Sequence, residues 1–387
     1  IIKTQWPRPI ITATFFGYFF SAFGRMAQCG HLAFEKLLQS PAVDALCAPQ
    51  SYREAARSMG GTGQSRGLIG PVVRAGKLWL DEMDESTSLG GCPWFPEAST
   101  AGVEEDIVKL RRNVLQPFTR GGGLWYYDFG PNTATVEFAT YGVRGAWDDP
   151  ALAAETKKLV NLMRQYESRP TPRMADVLVI HDPRSLRYLS TPPIPKEEMT
   201  GAYIYGVRDP VTLHSIDELS EGLHRSGLIH EEALLSEFQQ LDLTPYKLLI
   251  FATALCISPE KRSQIQEALA GFNGHVLYTG FTGWSDGHQA GLAQIRAFSG
   301  FEVESIQTDP EILFDGLGIR KTLTIEKDFP HLSPQGTGTP LATWKQGAAA
   351  ALLREREKPS SSYFAVAPGD PEILHALGKR SNCHTWN

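Results

Sequence analysis

The sequence lacks basic segments, long apolar runs and paired cysteines. It carries 37 Lys+Arg against 43 Asp+Glu, a net charge of −6, and no stretch is basic enough to follow a phosphate backbone. This excludes a nucleic-acid-binding protein. No run approaches the roughly 18 apolar residues that a transmembrane helix needs, and the five cysteines form no CxxC pair. The composition therefore favours a soluble, multi-domain α/β protein without a membrane span, a disulfide framework or a zinc knuckle.

Motifs for two kinds of bound group are also absent. The ten histidines show no H-x-x-x-H or H-E-x-x-H spacing, which would place two imidazoles on one helix face as metal ligands. The apolar runs ADVLVIH and YKLLIFATA are not followed by the glycine-rich turn that binds a dinucleotide phosphate. We therefore expect neither a metal nor a cofactor.

The uncharged segment PIITATFFGYFFSAFG, residues 9–24, has the form of a secretory signal core. Its five phenylalanines and two threonines favour instead a strand and the loop after it. The localisation, cytoplasmic or secreted, stays open.

Apolar runs alternate with helical patterns twice along the chain, which predicts βαβ units with parallel sheets. In the first part, the predicted strands are Ile10 to Phe20, Val43 to Ala48, Lys77 to Glu82 and Leu124 to Phe129. In the second part, which begins near Arg169, they are Ala175 to His181, Tyr246 to Ala254 and His275 to Tyr278. Past residue 310 the pattern weakens into short alternating runs, which predict a small β-rich segment.

Acidic and aromatic side chains follow the first four predicted strands. Because the carboxyl ends of parallel strands meet at one edge, these side chains should converge there. Carboxylates and aromatic rings at one rim suit carbohydrate chemistry, since rings stack on sugar C–H surfaces and carboxylates act on hydroxyls or the anomeric carbon. The residues concerned are Tyr18, Tyr52, Glu82, Asp84 and Asp128, with Trp125 as a further aromatic that could reach the rim.

The acidic run Asp81-Glu82-Met83-Asp84-Glu85 has two interpretations. It could be a solvated loop or a helix N-terminus that attracts negative charge. Alternatively it holds a catalytic carboxylate, and strand alternation then places Glu82 and Asp84 on one side and Asp81 on the other.

These segments resemble a known enzyme family. The runs SPAVDALCAPQSY, GKLWLDEMDESTSL and RRNVLQPFTRGGGLWYYDFG are similar to the last part of the barrel in β-galactosidase-like enzymes, above all glycoside hydrolase family 42 and its retaining relatives. The runs ADVLVIHDPRSLRYL, YKLLIFATALCIS and HVLYTGFTGW resemble that family's trimerisation domain, which has a flavodoxin-like or amidotransferase-like fold.

The resemblance implies an α/β architecture in three parts. Residues 1–168 would be the C-terminal half of a (β/α)8 TIM barrel, with strands 5 to 8. Residues 169–308 would be the flavodoxin-like trimerisation-type domain, and residues 309–387 an incomplete β-rich segment. The resemblance also implies a homo-oligomer, which in that family is a trimer, and a β-galactoside or related oligosaccharide as substrate.

The resemblance further makes Glu82 the nucleophile of a retaining glycosidase, with Tyr18, Tyr52, Asp84, Trp125 and Asp128 binding the sugar. The family's acid/base is a Glu that usually follows Asn on the fourth barrel strand, and the sequence contains no Asn-Glu pair. A complete barrel typically takes about 250 residues. We therefore interpret the chain, which begins at Ile1, as an internal fragment of a longer hydrolase.

Two other functions stay open. The first is a non-catalytic carbohydrate-binding or assembly protein that uses the same rim. The second is an amidotransferase-like domain with Cys256 as nucleophile. Cys256 is flanked by Leu255 and Ile257, whereas a nucleophile elbow needs glycine on both sides of the strained turn. A structural cysteine is therefore the favoured interpretation of Cys256.

Overall fold

The computed structural model describes residues 2–20, 30–85, 87–89, 100–127, 147–167, 174–189, 209–355 and 358–386. Of these, residues 2–20 and 33–167 form one unit, and residues 30–32 and 174–386 form a second.

The first unit alternates strands with helices. Its strands are β1 (Ala13–Phe15), β2 (Ala45–Pro49), β3 (Leu78–Met83) and β4 (Gly123–Tyr126). Its helices are α1 (Ile2–Gln5), α2 (Phe34–Gln39), α3 (Glu54–Arg57), α4 (Ile69–Arg74), α5 (Val103–Thr119) and α6 (Pro150–Glu167). The strands form a parallel sheet in the order β1-β2-β3-β4, so each strand pairs with the next one along the chain. This order is the one that successive βαβ units produce.

Aromatic side chains of the two edge strands meet over one face of the first sheet. Phe15 on β1 and Trp125 on β4 lie on opposite edge strands, which are about 14 Å apart in a flat four-stranded sheet. Their ring centroids are nevertheless 6.2 Å apart. The register places both residues on the same face as Glu82, because Glu82 pairs with Trp125 and Phe15 pairs with Cys47, which in turn pairs with Leu80. Side chains of the two edge strands therefore converge over that face, named here the concave face, as side chains do on the inner face of a barrel wall.

The other face of this sheet carries the packed core of the unit. Met83 on β3 packs with Leu110 and Val114 of α5 and with Leu152 and Leu159 of α6. These buried residues are four positions apart in α5 and seven positions apart in α6, so in each helix they lie on one face.

The second unit contains the remaining elements. Its strands are β5 (Val177–His181), β6 (His230–Leu234), β7 (Leu248–Phe251), β8 (His275–Thr279), β9 (Glu302–Ser305), β10 (Glu311–Gly316), β11 (Ile319–Thr324), β12 (Leu332–Gln335), β13 (Thr339–Trp344), β14 (Ala349–Arg354) and β15 (Ser360–Phe364). Its helices are α7 (Leu219–Arg225), α8 (Pro259–Ala270), α9 (Leu292–Ser299) and α10 (Pro371–Arg380). Shorter helical turns cover Pro183–Tyr188, Pro210–Thr212, Leu213–Glu218 and Leu235–Gln240.

One nine-stranded sheet organises this unit, in the order β11-β10-β13-β14-β15-β8-β7-β5-β6. The strands β6, β5, β7, β8 and β15 are parallel to one another, and β14, β13, β10 and β11 continue the sheet in antiparallel pairs. Strands β5, β7 and β8 are buried along their whole length, which is why their sequences are almost continuously apolar.

Two features of this sheet differ from the sequence expectations. The sequence pattern does not predict strand β6, with the sequence HEEAL, because its buried polar residues His230 and Glu232 hide the apolar pattern. The pattern also predicts the strands after residue 309 as a segment of their own. Instead β15 hydrogen-bonds directly to β8, which makes these strands a continuation of the parallel sheet.

Candidate active site

Glu82 lies near the carboxyl end of β3, on the concave face of the first sheet, next to Trp125. The residue is only 9% exposed. No described residue donates a hydrogen bond to its carboxylate. Burial and the negative charge of Asp84 raise the pKa of Glu82 to about 7, and the positive charge of Arg57 partly offsets this. Glu82 is thus a sequestered carboxylate whose oxygens are uncommitted to the described part of the protein.

Asp84 follows two residues later and is held by two partners. The Tyr52 hydroxyl donates to its Oδ2, and Arg57 Nη2 donates to its Oδ1 at 2.5 Å. Burial and the neighbouring Asp84 carboxylate hold the pKa of Tyr52 well above its usual range. Tyr52 is therefore a neutral donor fixed on an ionic pair.

Tyr18 reaches the same end of the sheet from the loop after β1. The Arg66 guanidinium lies 4.4 Å from the centre of the Tyr18 ring and 4.9 Å from that of the Tyr52 ring, within cation–π range. The Arg66 carbonyl accepts hydrogen bonds from the backbone N–H groups of Phe19 and Phe20, which ties the two loops together. Burial raises the pKa of Tyr18 to about 12.

The four carboxylates of the acidic run have separate surroundings, and none forms a solvated loop. Asp81 points to the opposite face from Glu82, as the alternation predicts. There it accepts hydrogen bonds from Ser65 Oγ at 2.6 Å and Trp79 Nε1 at 2.7 Å. Burial raises the pKa of Asp81 to about 6, against these hydrogen bonds. Glu85 is buried and pairs with Lys109 Nζ of α5 at 2.8 Å.

The structure thus brings together Tyr18, Tyr52, Glu82 and Asp84, and it places Trp125 on the same concave face. Trp125 is 37% exposed, so its ring is accessible. Asp128, the remaining residue of the predicted set, lies outside the described residues.

Sequence reasoning missed the two buried arginines of this site, Arg57 and Arg66. Both come from the segment between β2 and α4, directly after a strand end. The acidic run itself was a signal, because several carboxylates that are buried close together require buried cations as partners. Nothing in the spacing said which of the many arginines would supply them.

The geometry does not favour Cys256 as a nucleophile. Its backbone N–H donates to Ser185 Oγ at 2.9 Å, and its backbone forms a bridge to Ser285. Within the described ranges no histidine hydrogen-bonds its thiol, so the Cys–His pair that activates such a nucleophile is not formed there.

Neither a metal centre nor a membrane helix is found in the part of the chain that the structure describes. No group of three His, Cys, Asp or Glu side chains is arranged there to hold a metal ion. No helix among the described residues is both long and apolar enough to cross a bilayer.

Comparison with known proteins gives a match at the level of three-dimensional structure. No protein-family model and no curated protein matches the sequence. The β-galactosidase from Bacillus circulans sp. alkalophilus superposes with a TM-score of 0.56 and 14% identity, over 93% of this chain and 56% of that one. A catalytic mutant of a GH42 β-galactosidase from G. stearothermophilus gives 0.58 and 12%, over 99% and 55%. The exo-β-1,4-mannosidase from Opitutaceae bacterium strain TAV5 gives 0.56 and 11%, over 89% and 61%.

These matches define the class of the fold. The chain has the fold of part of a β-galactosidase-like glycoside hydrolase, with a half barrel followed by a second α/β unit, which confirms the predicted resemblance and fold class. The chain spans 55–61% of the length of these three proteins.

Proposed function

We propose that the protein is a retaining glycoside hydrolase that acts on a β-galactoside or a related oligosaccharide, with Glu82 as the nucleophile. The observation that supports this most is the position of Glu82, near a strand's carboxyl end on the concave face of the sheet. Catalytic groups of barrel enzymes occupy that end of the strands. A carboxylate with no hydrogen-bond donor among the described residues keeps its lone pairs available for attack.

In the proposed reaction, a Glu82 oxygen bonds to the anomeric carbon while the bond to the leaving-group oxygen breaks. A second carboxyl group, about 5 Å away, protonates that oxygen and later takes a proton from the water that hydrolyses the glycosyl-enzyme. We propose that this acid/base belongs to a barrel strand outside residues 1–387. The proposal draws on the share of the related barrel enzymes that the chain covers.

The remaining residues are proposed to bind the sugar. The accessible ring of Trp125 offers a stacking surface beside Glu82. Tyr18, Tyr52 and Asp84 would hydrogen-bond hydroxyl groups, and Asp128 is proposed for the same role on the resemblance alone. The second unit is proposed to mediate a homo-oligomer, a trimer in the family that the sequence resembles.

The substitution Glu82→Gln, made in the full natural protein, tests this function. Turnover of an aryl β-galactoside should fall by at least about 10³-fold, because the amide cannot form the covalent intermediate. Galactose binding, measured by calorimetry, should persist. The matched control is Glu104→Gln, an exposed carboxylate at the start of α5, which should keep wild-type turnover.

Wild-type turnover in Glu82→Gln would refute the assignment. If the unaltered protein binds galactose and hydrolyses no aryl glycoside, the non-catalytic carbohydrate-binding alternative replaces the hydrolase.

A further inference from the structure

Arg57 is a buried arginine at the last residue of α3, and it is only 2% exposed. Its Nε donates to the Ser51 carbonyl at 2.9 Å, and its Nη2 donates to the Gln50 carbonyl at 3.1 Å. Its Cζ lies 4.0 Å from the centre of the Tyr52 ring. These contacts fix the guanidinium to the loop after β2, so it is too enclosed to contact a sugar.

The same guanidinium reaches across to the strand that carries Glu82. Nη2 also donates to Asp84 Oδ1 at 2.5 Å, in an ion pair whose side chains are 3% and 13% exposed. Asp84 Oδ2 accepts the hydroxyl hydrogen of Tyr52. Arg57, Asp84 and Tyr52 therefore form one connected unit in which both carboxylate oxygens of Asp84 are held.

We propose that Arg57 is the positioning residue of this site. It holds the Asp84 carboxylate and, through it, the Tyr52 hydroxyl beside Glu82, and its charge offsets that of Asp84. The proposal rests on the proposed function, because it assigns how the surroundings of the attacking carboxylate are held and how the charge of Asp84 beside it is offset.

The effect of the Arg57 charge on Glu82 can be separated from that of the Asp84 charge, because the two act on the pKa of Glu82 in opposite directions. Among the described residues, the titratable groups that face Glu82 are Asp84 after its own strand, Arg57 from α3, Tyr18 from the loop after β1 and Cys47 from β2. Burial raises the pKa of Tyr18 to about 12 and that of Cys47 to about 11, so both are neutral near pH 7. Asp84 raises the pKa of Glu82, and Arg57 lowers it.

Arg57 itself faces further charges, which constrain the choice of control. In the described part of the chain, the groups that act on it or on which it acts are Asp84, Glu85, Tyr52, Arg66 and Arg112. Arg112 is the control among the arginines. Its Nη1 donates to the Ser58 and Gly61 carbonyls, its Nη2 contacts the backbone carbonyl of Arg57 and Glu85, and the contacts described for it do not include Asp84. Its side chain is also largely buried, at 17% exposed.

The test is the pH profile of kcat/KM for an aryl β-galactoside in the full natural protein. The released phenol is measured after the reaction is stopped with alkali. Glu82 must be ionised to attack, so activity falls on the acid side of its pKa. Arg57→Met should move this acid limb to higher pH by about one unit, because Asp84 is left uncompensated. Asp84→Asn should move it to lower pH by a similar amount. The double variant should return towards the wild-type position, since it removes both charges.

Opposite shifts cannot arise from a general loss of packing. Arg57→Lys should restore the acid limb while kcat stays reduced, because the ammonium keeps the charge and loses the planar fork. Arg112→Met should leave the limb in place. If Arg57→Met does not fold, the double variant and Arg57→Lys carry the test, since neither leaves Asp84 as an unpaired buried carboxylate.

The proposal is overturned if Arg57→Met and Asp84→Asn shift the limb in the same direction, or if Arg57→Met lowers kcat with the limb unmoved. Failure of the underlying function gives a different result, namely that Glu82→Gln retains wild-type turnover.

Discussion

At the scale of single residues, four carboxylates within five positions have four different environments. Strand alternation alone places Asp81 on the face opposite Glu82, and this part was predictable. The partners were not, because Arg57 and Lys109 come from segments that are distant in sequence. The sequence shows where carboxylates cluster, and the three-dimensional packing decides which of them pairs with a cation.

Asp81 should make the stability of the first unit depend on pH. Burial raises its pKa to about 6 in the folded protein, from an ordinary value of 3.8. The folded state therefore holds the proton more tightly, and the stabilisation is complete below pH 3.8 and is lost as the pH rises through 6. Two pKa units correspond to about 3 kcal/mol.

The substitution Asp81→Asn removes this titration. We expect the free energy of unfolding of the wild type, measured with urea from pH 4 to pH 8, to decline more steeply than that of Asp81→Asn. The exposed-carboxylate variant Glu104→Gln should keep the wild-type slope. An equal decline in Asp81→Asn and the wild type would show that Asp81 does not titrate in this range.

At the scale of elements, the segment between β2 and α4 assembles most of the site. It carries Arg57 and Arg66, and Ser65 anchors it to Asp81. Gly67 lets this segment pass directly against the buried Trp79 ring. A Cβ at Gly67 would lie 2.0 Å from Trp79 Cη2, and a fully buried indole has no free space into which to move.

The substitution Gly67→Ala should therefore lower the thermal midpoint, by an amount equivalent to about 1–3 kcal/mol, and reduce turnover by displacing Arg66. Gly102→Ala is the control. Gly67 lies two residues before α4 and Gly102 lies directly before α5, and a Cβ added to Gly102 would have nothing within 4 Å. Equal midpoints for the two variants would contradict the role assigned to Gly67.

The long apolar strands and the regular helices were predictable from pattern, because β5, β7 and β8 are buried on both faces and α5 repeats its buried positions every three or four residues. Strand β6 was not, because its buried His230 and Glu232 pair with each other at 3.8 Å and replace the apolar residues that a strand pattern needs.

At the scale of the whole molecule, the alternation of strands and helices predicted two parallel sheets. It could not predict the order of the strands in the second sheet. Strand β15 inserts between β8 and β14, and His275 on β8 hydrogen-bonds Ser360 and Ser362 on β15 at 2.9 and 2.8 Å. These residues are 85 and 87 positions apart. No local periodicity encodes such a pairing, since it joins segments that are far apart along the chain.

The proposed role of Glu82 can be tested most directly by trapping the covalent intermediate. The probe is a 2-deoxy-2-fluoro-β-galactoside with a dinitrophenolate leaving group. This leaving group departs without an acid, and the fluorine on the sugar slows hydrolysis of the glycosyl-enzyme. The full natural protein would be incubated with this compound, digested and analysed by mass spectrometry. We expect one adduct, on Glu82, and none in Glu82→Gln. An adduct on another carboxylate, or an unlabelled wild-type protein, would contradict the assignment of Glu82 as the nucleophile.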